Sequence, residues 1–228
     1  MTKKVVALLS GGLDSAVMAF ELCARGRELI LLSFNYEQRH SKELGCAARI
    51  ASMPFIRNHS EHYVIDLRSV GILLKGSALT DPSVEVPQGH YADESMRSTV
   101  VPNRNAIFLS IAFGIAAAHG AESVAYAAHA GDHPIYPDCR PEFVVAFELM
   151  EMLAMAGYAA VRLETPFIYM TKDKIVKHGD RMFVPFGDTW SCYEGGELHC
   201  GRCGTCVERK EAFQLAGVMD PTKYESES

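Results

Sequence analysis

No apolar run in this 228-residue chain approaches the length of a membrane span, and there is no excess of positive charge: 22 lysines and arginines face 28 acids, for a formal net charge of -6. The first absence argues against an integral membrane protein. The second argues against a protein that grips nucleic acid through a broad basic face, while leaving room for a small polar substrate. Met1-Thr2-Lys3-Lys4 leads into a short strand rather than a secretory signal. No internal repeat, low-complexity tract or linker divides the chain. What is present is a hydrophobic fraction of 48%, ample for the core of a single α/β domain, and seven cysteines. Without a signal peptide, those thiols point to a reducing cytoplasm and to metals or chemistry rather than disulfides.

The segment from Val5 to Ser15 carries the most information. An apolar strand runs into Ser10-Gly11-Gly12, and a helix with apolar positions Ala16, Val17 and Phe20 follows. Adjacent glycines let the backbone turn sharply and aim several N–H groups at one anion, reinforced by the positive end of the helix dipole. Ser10 and Ser15 add hydroxyl donors. Asp14 would repel phosphate unless it holds a cation, for which magnesium is the usual reason. No Gly-Lys-Ser/Thr follows, so the turn is not a Walker A loop, and the G-x-G-x-x-G spacing of a Rossmann fingerprint is absent from it. Ser-Gly-Gly-Leu-Asp-Ser instead matches the PP-loop of the N-type ATP pyrophosphatases, which cleave ATP between the α and β phosphates and pass AMP to an acceptor oxygen.

Strand-like and helix-like runs alternate along most of the chain. Strands are expected at 28–34, 63–67, 123–127 and 160–163, with helices over roughly 37–52, 103–119 and 140–156. Such alternation predicts an α/β fold with a doubly wound parallel sheet. The interval 76–101, rich in proline, glycine and mixed charge without periodicity, reads as a lid or substrate loop.

Cys192, Cys200, Cys203 and Cys206 form the second strong signal. Cys200-Gly-Arg-Cys203-Gly-Thr-Cys206 is a tight knuckle, and Cys192 lies just upstream on a Gly-Gly loop. Four thiolates satisfy tetrahedral zinc and leave no open position, so the site is expected to be structural. His199 is an alternative ligand, and an iron–sulfur cluster is the competing occupant, although the run continues Val207-Glu208-Arg209 rather than Cys-Pro. Cys23, Cys46 and Cys139 lie apart; the first two sit on expected helices, where an inert buried thiol is the default.

Taken together, Ser10–Ser15, Asn35-Tyr-Glu-Gln-Arg-His40, Ser77-Ala-Leu-Thr80, Val101-Pro-Asn-Arg-Asn105, Tyr136-Pro-Asp-Cys-Arg-Pro-Glu-Phe143, Thr165-Pro-Phe, Thr171-Lys172 and Thr189-Trp-Ser-Cys-Tyr193 resemble the 7-cyano-7-deazaguanine synthase family of the queuosine pathway. The resemblance covers nearly the whole chain. It implies a PP-loop domain over 1–187 and a zinc-binding four-cysteine knuckle with a C-terminal helix over 188–228, packed as one unit. It implies ATP binding by Leu9, Ser10, Gly11, Gly12, Leu13, Asp14, Ser15, Ala16, Val17, Met18 and Ala19, with Asp14, Ser15 and Lys172 as catalytic candidates. Substrate binding would fall to Arg39, Arg104, Tyr136, Asp138 and Arg140. Arg104 and Lys172 are cations suited to phosphate oxygens. Asp138 suits a guanine-like N–H edge or a helix cap, and Arg140 suits a carboxylate. The implied cofactors are structural zinc and magnesium with ATP as substrate; the implied partners are small molecules and a second copy in a homodimer. A tRNA-modifying PP-loop synthetase, a relative that ligates a deazapurine to protein, and a zinc-knuckle binding module with a vestigial nucleotide site are the rival readings.

Overall fold

Val5, Val6 and Ala7 are completely buried. Successive side chains of a strand point to opposite faces, so such a strand must be covered on both sides. The computed structural model, which describes residues 3–91 and 93–225, shows how. In chain order its elements are β1 (Lys4–Leu8), α1 (Leu13–Ala24), β2 (Glu28–Asn35), α2 (Lys42–Ser52), α3 (Pro54–Arg57), β3 (Ser60–Asp66), α4 (Arg68–Gly71), α5 (Arg104–Ala118), β4 (Ser123–Ala125), α6 (Pro141–Ala154), β5 (Arg162–Glu164), α7 (Lys172–Arg181) and α8 (Gly204–Ala216). The five strands pair in the order β3-β2-β1-β4-β5, and every pair is parallel.

Alternation along the strands sorts the core into two layers. Val5, Ala7, Leu29 and Leu31 pack with α1, α7 and α8 through Val17, Ile175 and Phe213. Val6, Ile30, Leu32 and Val124 face the other way, against Leu109 and Phe113 of α5 and Phe147 of α6. The sheet is therefore doubly wound. Its order reverses at β1: β2 lies on one side of it and β4 on the other. In open α/β sheets, ligands bind outside the carboxyl ends of the strands at such a reversal.

Several expectations shift in position. The helix expected from 37 begins only at Lys42, because Glu37 takes a left-handed φ of 66°. The side chain of Gln38 then braces the turn, accepting from Tyr36 N and donating to Phe34 O and Glu43 Oε1. The interval 76–101 is largely folded down onto the body: Ser77, Ala78, Leu79, Met96 and Thr99 are fully buried, and Gln88 bridges Cys203. Helix α7 was not foreshadowed at all. Its sequence KDKIVKHGDR is polar, and only Ile175, Val176 and Gly179 reach the core.

Candidate active site

The turn after β1 lies at the reversal. Leu9 N donates to Leu32 O, carrying the strand direction one residue further. Gly11 then adopts φ +90°, and a Cβ placed there would sit 2.0 Å from Glu43 O of α2. No side chain fits. Gly12 caps α1, whose first-turn N–H groups open toward the crevice. Gly12 N donates to Ser10 Oγ at 3.2 Å, the Ser10 and Ser15 hydroxyls meet at 3.0 Å, and Ser15 Oγ donates to Gly12 O at 3.1 Å. From the far side Trp190 N donates to Gly11 O at 2.9 Å, clamping the turn to the cysteine-bearing segment.

Leu9, Ser10, Gly12, Leu13, Asp14 and Ser15 line a cleft of about 230 Å³. Ala16, Val17, Met18 and Ala19 do not; they are fully buried in the core under α1 and support the turn by packing. Gly11 likewise lies beneath the turn against α2.

One charged cluster flanks the cleft. Lys172 Nζ, at the start of α7, stands 3.3 Å from Asp14 Oδ2 and 2.7 Å from Glu208 Oε2 of α8. His129 Nε2, on the segment after β4, lies 3.8 Å from Asp14 Oδ2 and 3.6 Å from Asp132 Oδ1. Tyr91 OH donates to Asp132 Oδ1 at 3.1 Å. Burial opposes ionisation of Asp14, but the charges of Lys172 and His129 outweigh it and hold the carboxyl below the usual carboxylate range. Burial likewise presses Lys172 toward neutrality, and Asp14 with Glu208 more than reverse it, keeping the ammonium charged. Asp14 Oδ1 is buried with no hydrogen-bond partner among the described residues.

The rest of the cleft is aromatic. Phe34 and Phe108 stack with centroids 4.1 Å apart and planes 3° from parallel. Tyr36, Tyr91, Tyr126, Tyr136, Tyr193 and Trp190 continue the lining. Tyr136 OH meets Thr99 Oγ1 at 2.6 Å and Tyr193 OH at 3.1 Å, and Arg104 Nη1 donates to Tyr36 OH at 3.3 Å. Burial pushes the Tyr36 phenol up to about 12 against the pull of Arg104, so it remains a neutral donor. Such a wall suits a flat heterocycle, with the guanidinium and phenols left to read its polar edge.

Of the residues singled out in the sequence, Asp14, Ser15, Lys172, Arg104 and Tyr136 converge on this cleft. Arg39, Asp138 and Arg140 do not line it. Arg39 Nη2 is taken up by Asp81 O and Val84 O in the folded-down segment. Asp138 Oδ2 accepts from Asn105 N and so caps the first turn of α5 rather than α6. Arg140 is exposed and donates to His133 O. Tyr91, Tyr193 and His129 were not singled out as catalytic or binding groups from sequence, and nor was Glu208. Glu208 reads locally as one more charge on a solvated helix.

Below Trp190 the four thiols of Cys192, Cys200, Cys203 and Cys206 are all buried, with their sulfurs within 4.8 Å of one another. Tetrahedral Zn–S bonds place sulfurs about 3.8 Å apart, so the donor set fits such an ion with little adjustment. Cys200 N points at Cys192 Sγ and Cys203 N at Cys200 Sγ, donors that favour thiolates. His199 stays outside the set: its Nε2 accepts from Ser191 N and its ring lies 4.2 Å from that of Trp190. The cluster is thus a four-sulfur donor set able to hold a metal ion.

Comparison with known proteins shows relatives that match over nearly the whole chain. The family model of queuosine biosynthesis protein QueC matches residues 4–217. The 7-cyano-7-deazaguanine synthase of Ruegeria pomeroyi is 59% identical over 221 residues, covering 97% of this chain and 94% of that protein. The protein of the same name from Paracoccus denitrificans is 58% identical over 222 residues, covering 97% and 93%. Among solved structures, the NMN synthetase of Francisella tularensis superposes with a TM-score of 0.52 at 16% identity, covering 96% of this chain and 79% of that one, and shares the fold. With a family match over residues 4–217 and 59% identity to a relative over nearly the whole of both chains, the chain belongs to the queuosine biosynthesis protein QueC family.

Proposed function

We propose that this chain converts 7-carboxy-7-deazaguanine, ammonia and ATP into 7-cyano-7-deazaguanine, the product for which its relatives are named. The observation that carries the proposal is the junction of an anion-binding turn, with its Asp14–Lys172 pair, and an aromatic slot in one cleft. A carboxylate does not exchange oxygen for ammonia unaided, because oxide is a hopeless leaving group. Attack of its oxygen on the α-phosphorus of ATP expels pyrophosphate and gives an acyl-adenylate. Ammonia adds to that carbonyl carbon, AMP departs, and one proton is released with the amide. Attack of the amide oxygen on a second ATP expels pyrophosphate again. Loss of the remaining N–H protons with departure of AMP then leaves the nitrile. Both rounds need one device, a rigid turn holding the departing pyrophosphate in line.

In this reading the N–H groups of the turn and the Ser10 and Ser15 hydroxyls hold the β and γ phosphates. Lys172 neutralises charge on the leaving pyrophosphate, Arg104 and Tyr136 orient the heterocycle and its C7 substituent, and the aromatic wall excludes water. The unpartnered Asp14 Oδ1 fits a magnesium ion, which would balance the polyphosphate beside a cluster rich in carboxylates. Arg39, Asp138 and Arg140 act one layer back: they brace the segment 81–84, the start of α5 and the 133–140 turn. Zinc in the sulfur cage is structural, since four thiolates complete its shell.

The small acidic chain favours small-molecule partners over tRNA, and seven free thiols suit a reducing cytoplasm. Among the described residues no helix is long and apolar enough to cross a membrane. A homodimer is supported by α6, whose outer side exposes Val145, Leu149, Met152 and Leu153 as one apolar stripe. Leu149→Glu with Leu153→Glu should turn a dimeric sedimentation profile into a monomeric one; an unchanged profile removes α6 from the interface.

The decisive assay incubates the zinc-loaded protein with 7-carboxy-7-deazaguanine, ATP, magnesium and ammonium. The expected products are the nitrile, detected by mass, and two AMP per nitrile. ADP in place of AMP would overturn the proposal. AMP that appears only when tRNA is added would favour the tRNA-modifying alternative.

A further inference from the structure

Lys172 is shared unequally. It sits 2.7 Å from Glu208 and 3.3 Å from Asp14, although Asp14 belongs to the turn that Lys172 serves in the proposed reaction. Glu208 comes from elsewhere. It lies on α8, two residues beyond the metal-cage ligand Cys206, and that helix begins inside the cysteine loop. The next residue, Arg209, is wholly buried and locks the helix in place through Asp220, Thr189, Ser191 and Phe186 O. The second Glu208 oxygen abuts Gly131, where an added Cβ would stand 2.9 Å from Oε1 and 2.8 Å from the His129 ring. The glutamate thus has Gly131 close on one side and Lys172 on the other, on a helix that Arg209 fixes in place.

We propose that Glu208 is the positioning residue for Lys172: by drawing the ammonium toward α8 it holds the charge over the pyrophosphate site and keeps one oxygen of Asp14 free for the nucleotide's cation. The metal cage is then more than a fold clamp, because the helix it nucleates sets the geometry of ATP activation. Without the Glu208 carboxylate, the ammonium has Asp14 as its nearest acidic partner and closes onto the oxygen that the cation needs. This inference rests on the adenylylating reading of the cleft.

The test is substrate-dependent exchange of labelled pyrophosphate into ATP by the full-length, zinc-loaded protein, in wild type, Glu208→Gln, Lys172→Met and the double variant. Glu208→Gln should retain its zinc and lower the exchange rate constant about 10- to 100-fold, the range for losing one charge-assisted hydrogen bond. In the Lys172→Met background it should cost nothing further, since a residue that acts through another is silent once that other is gone. Exchange within twofold of wild type in Glu208→Gln overturns the proposal, and so do effects that multiply in the double variant. If Glu208→Gln fails to hold zinc, Glu208→Asp decides by the same exchange criterion. If wild type shows no exchange with the deazaguanine acid, the reading of function fails instead. Calorimetric binding of α,β-methylene-ATP with magnesium then judges Glu208 separately: about tenfold weaker binding in Glu208→Gln supports it and equal binding overturns it.

Discussion

Asp14→Asn is expected to give a folded protein with its full zinc content that releases no AMP. Asparagine has the shape of aspartate, so the start of α1 and the hydroxyl pair of Ser10 and Ser15 keep their geometry. What disappears is the one carboxylate in the turn, together with its buried, unpartnered oxygen. The amide turns its one oxygen to Lys172 and its NH2 to the position of the unpartnered Oδ1, so the cation loses its anionic ligand while Lys172 keeps Glu208 as its only charged partner in the pair. Removing a single preorganised charge-stabilising group from an active site costs about 10²- to 10³-fold in turnover, and loss of cation placement in both adenylation rounds puts this variant at or beyond the upper end. Nucleotide affinity should change far less, because the N–H groups that hold the phosphates remain. A pH series gives a second reading. The Asp14 carboxyl is lowered from 3.8, so the stability it adds is fully present above that value and lost as pH falls through the lowered one. The melting-temperature gap between wild type and Asp14→Asn should therefore close in strong acid. AMP release by the variant within tenfold of wild type would remove Asp14 from the mechanism.

What could be read from the sequence was whatever the chain writes locally. The Ser10–Ser15 turn and the cysteine knuckle are contiguous, and their chemistry follows from residue type and spacing. The buried strands β1, β2 and β4 announced themselves as short apolar runs. Features assembled from distant segments stayed hidden. Glu208 meets Lys172 across 36 residues and Tyr91 meets Asp132 across 41, and no local pattern marks either pair. Arg209 is the sharpest case: an arginine inside Val-Glu-Arg-Lys-Glu reads as solvent-facing, yet it is wholly buried because Asp220 supplies its counter-charge. Helix α7 escaped notice because it is short and polar, with Ile175, Val176 and Gly179 its buried residues, so no apolar run marks it. Arg39, Asp138 and Arg140 have the right chemistry for a ligand and sit in the right loops. Backbone groups that needed a donor or acceptor claimed them instead.

Cys203→Ser should fail in the opposite way to Asp14→Asn, losing the fold rather than only the chemistry. Serine keeps the size but offers a poor ligand, leaving three thiolates for the ion. Structural zinc contributes about 10–16 kcal/mol of binding free energy in small domains, comparable with the whole stability of a typical protein. Here the cage also governs neighbours well outside it. Trp190, two residues before Cys192, holds Gly11 O, and α8 carries Ala212 and Phe213 into the core shared with α1 and α7. Strain released at Cys203 therefore reaches both the pyrophosphate turn and the packing beneath it. A partial loss of about 5 kcal/mol would lower the melting temperature by roughly 10–20 °C for a chain of this size, and a full loss would leave aggregate. Chelation of the wild-type metal should reproduce the effect. Cys23→Ala is the contrast. That thiol, pushed up to about 11 by burial, packs in the core away from the cage. Its removal should leave zinc content and AMP release unchanged. A soluble Cys203→Ser protein melting within about 2 °C of wild type, less than 1 kcal/mol on the same scale, would show that the cage does not hold this fold together.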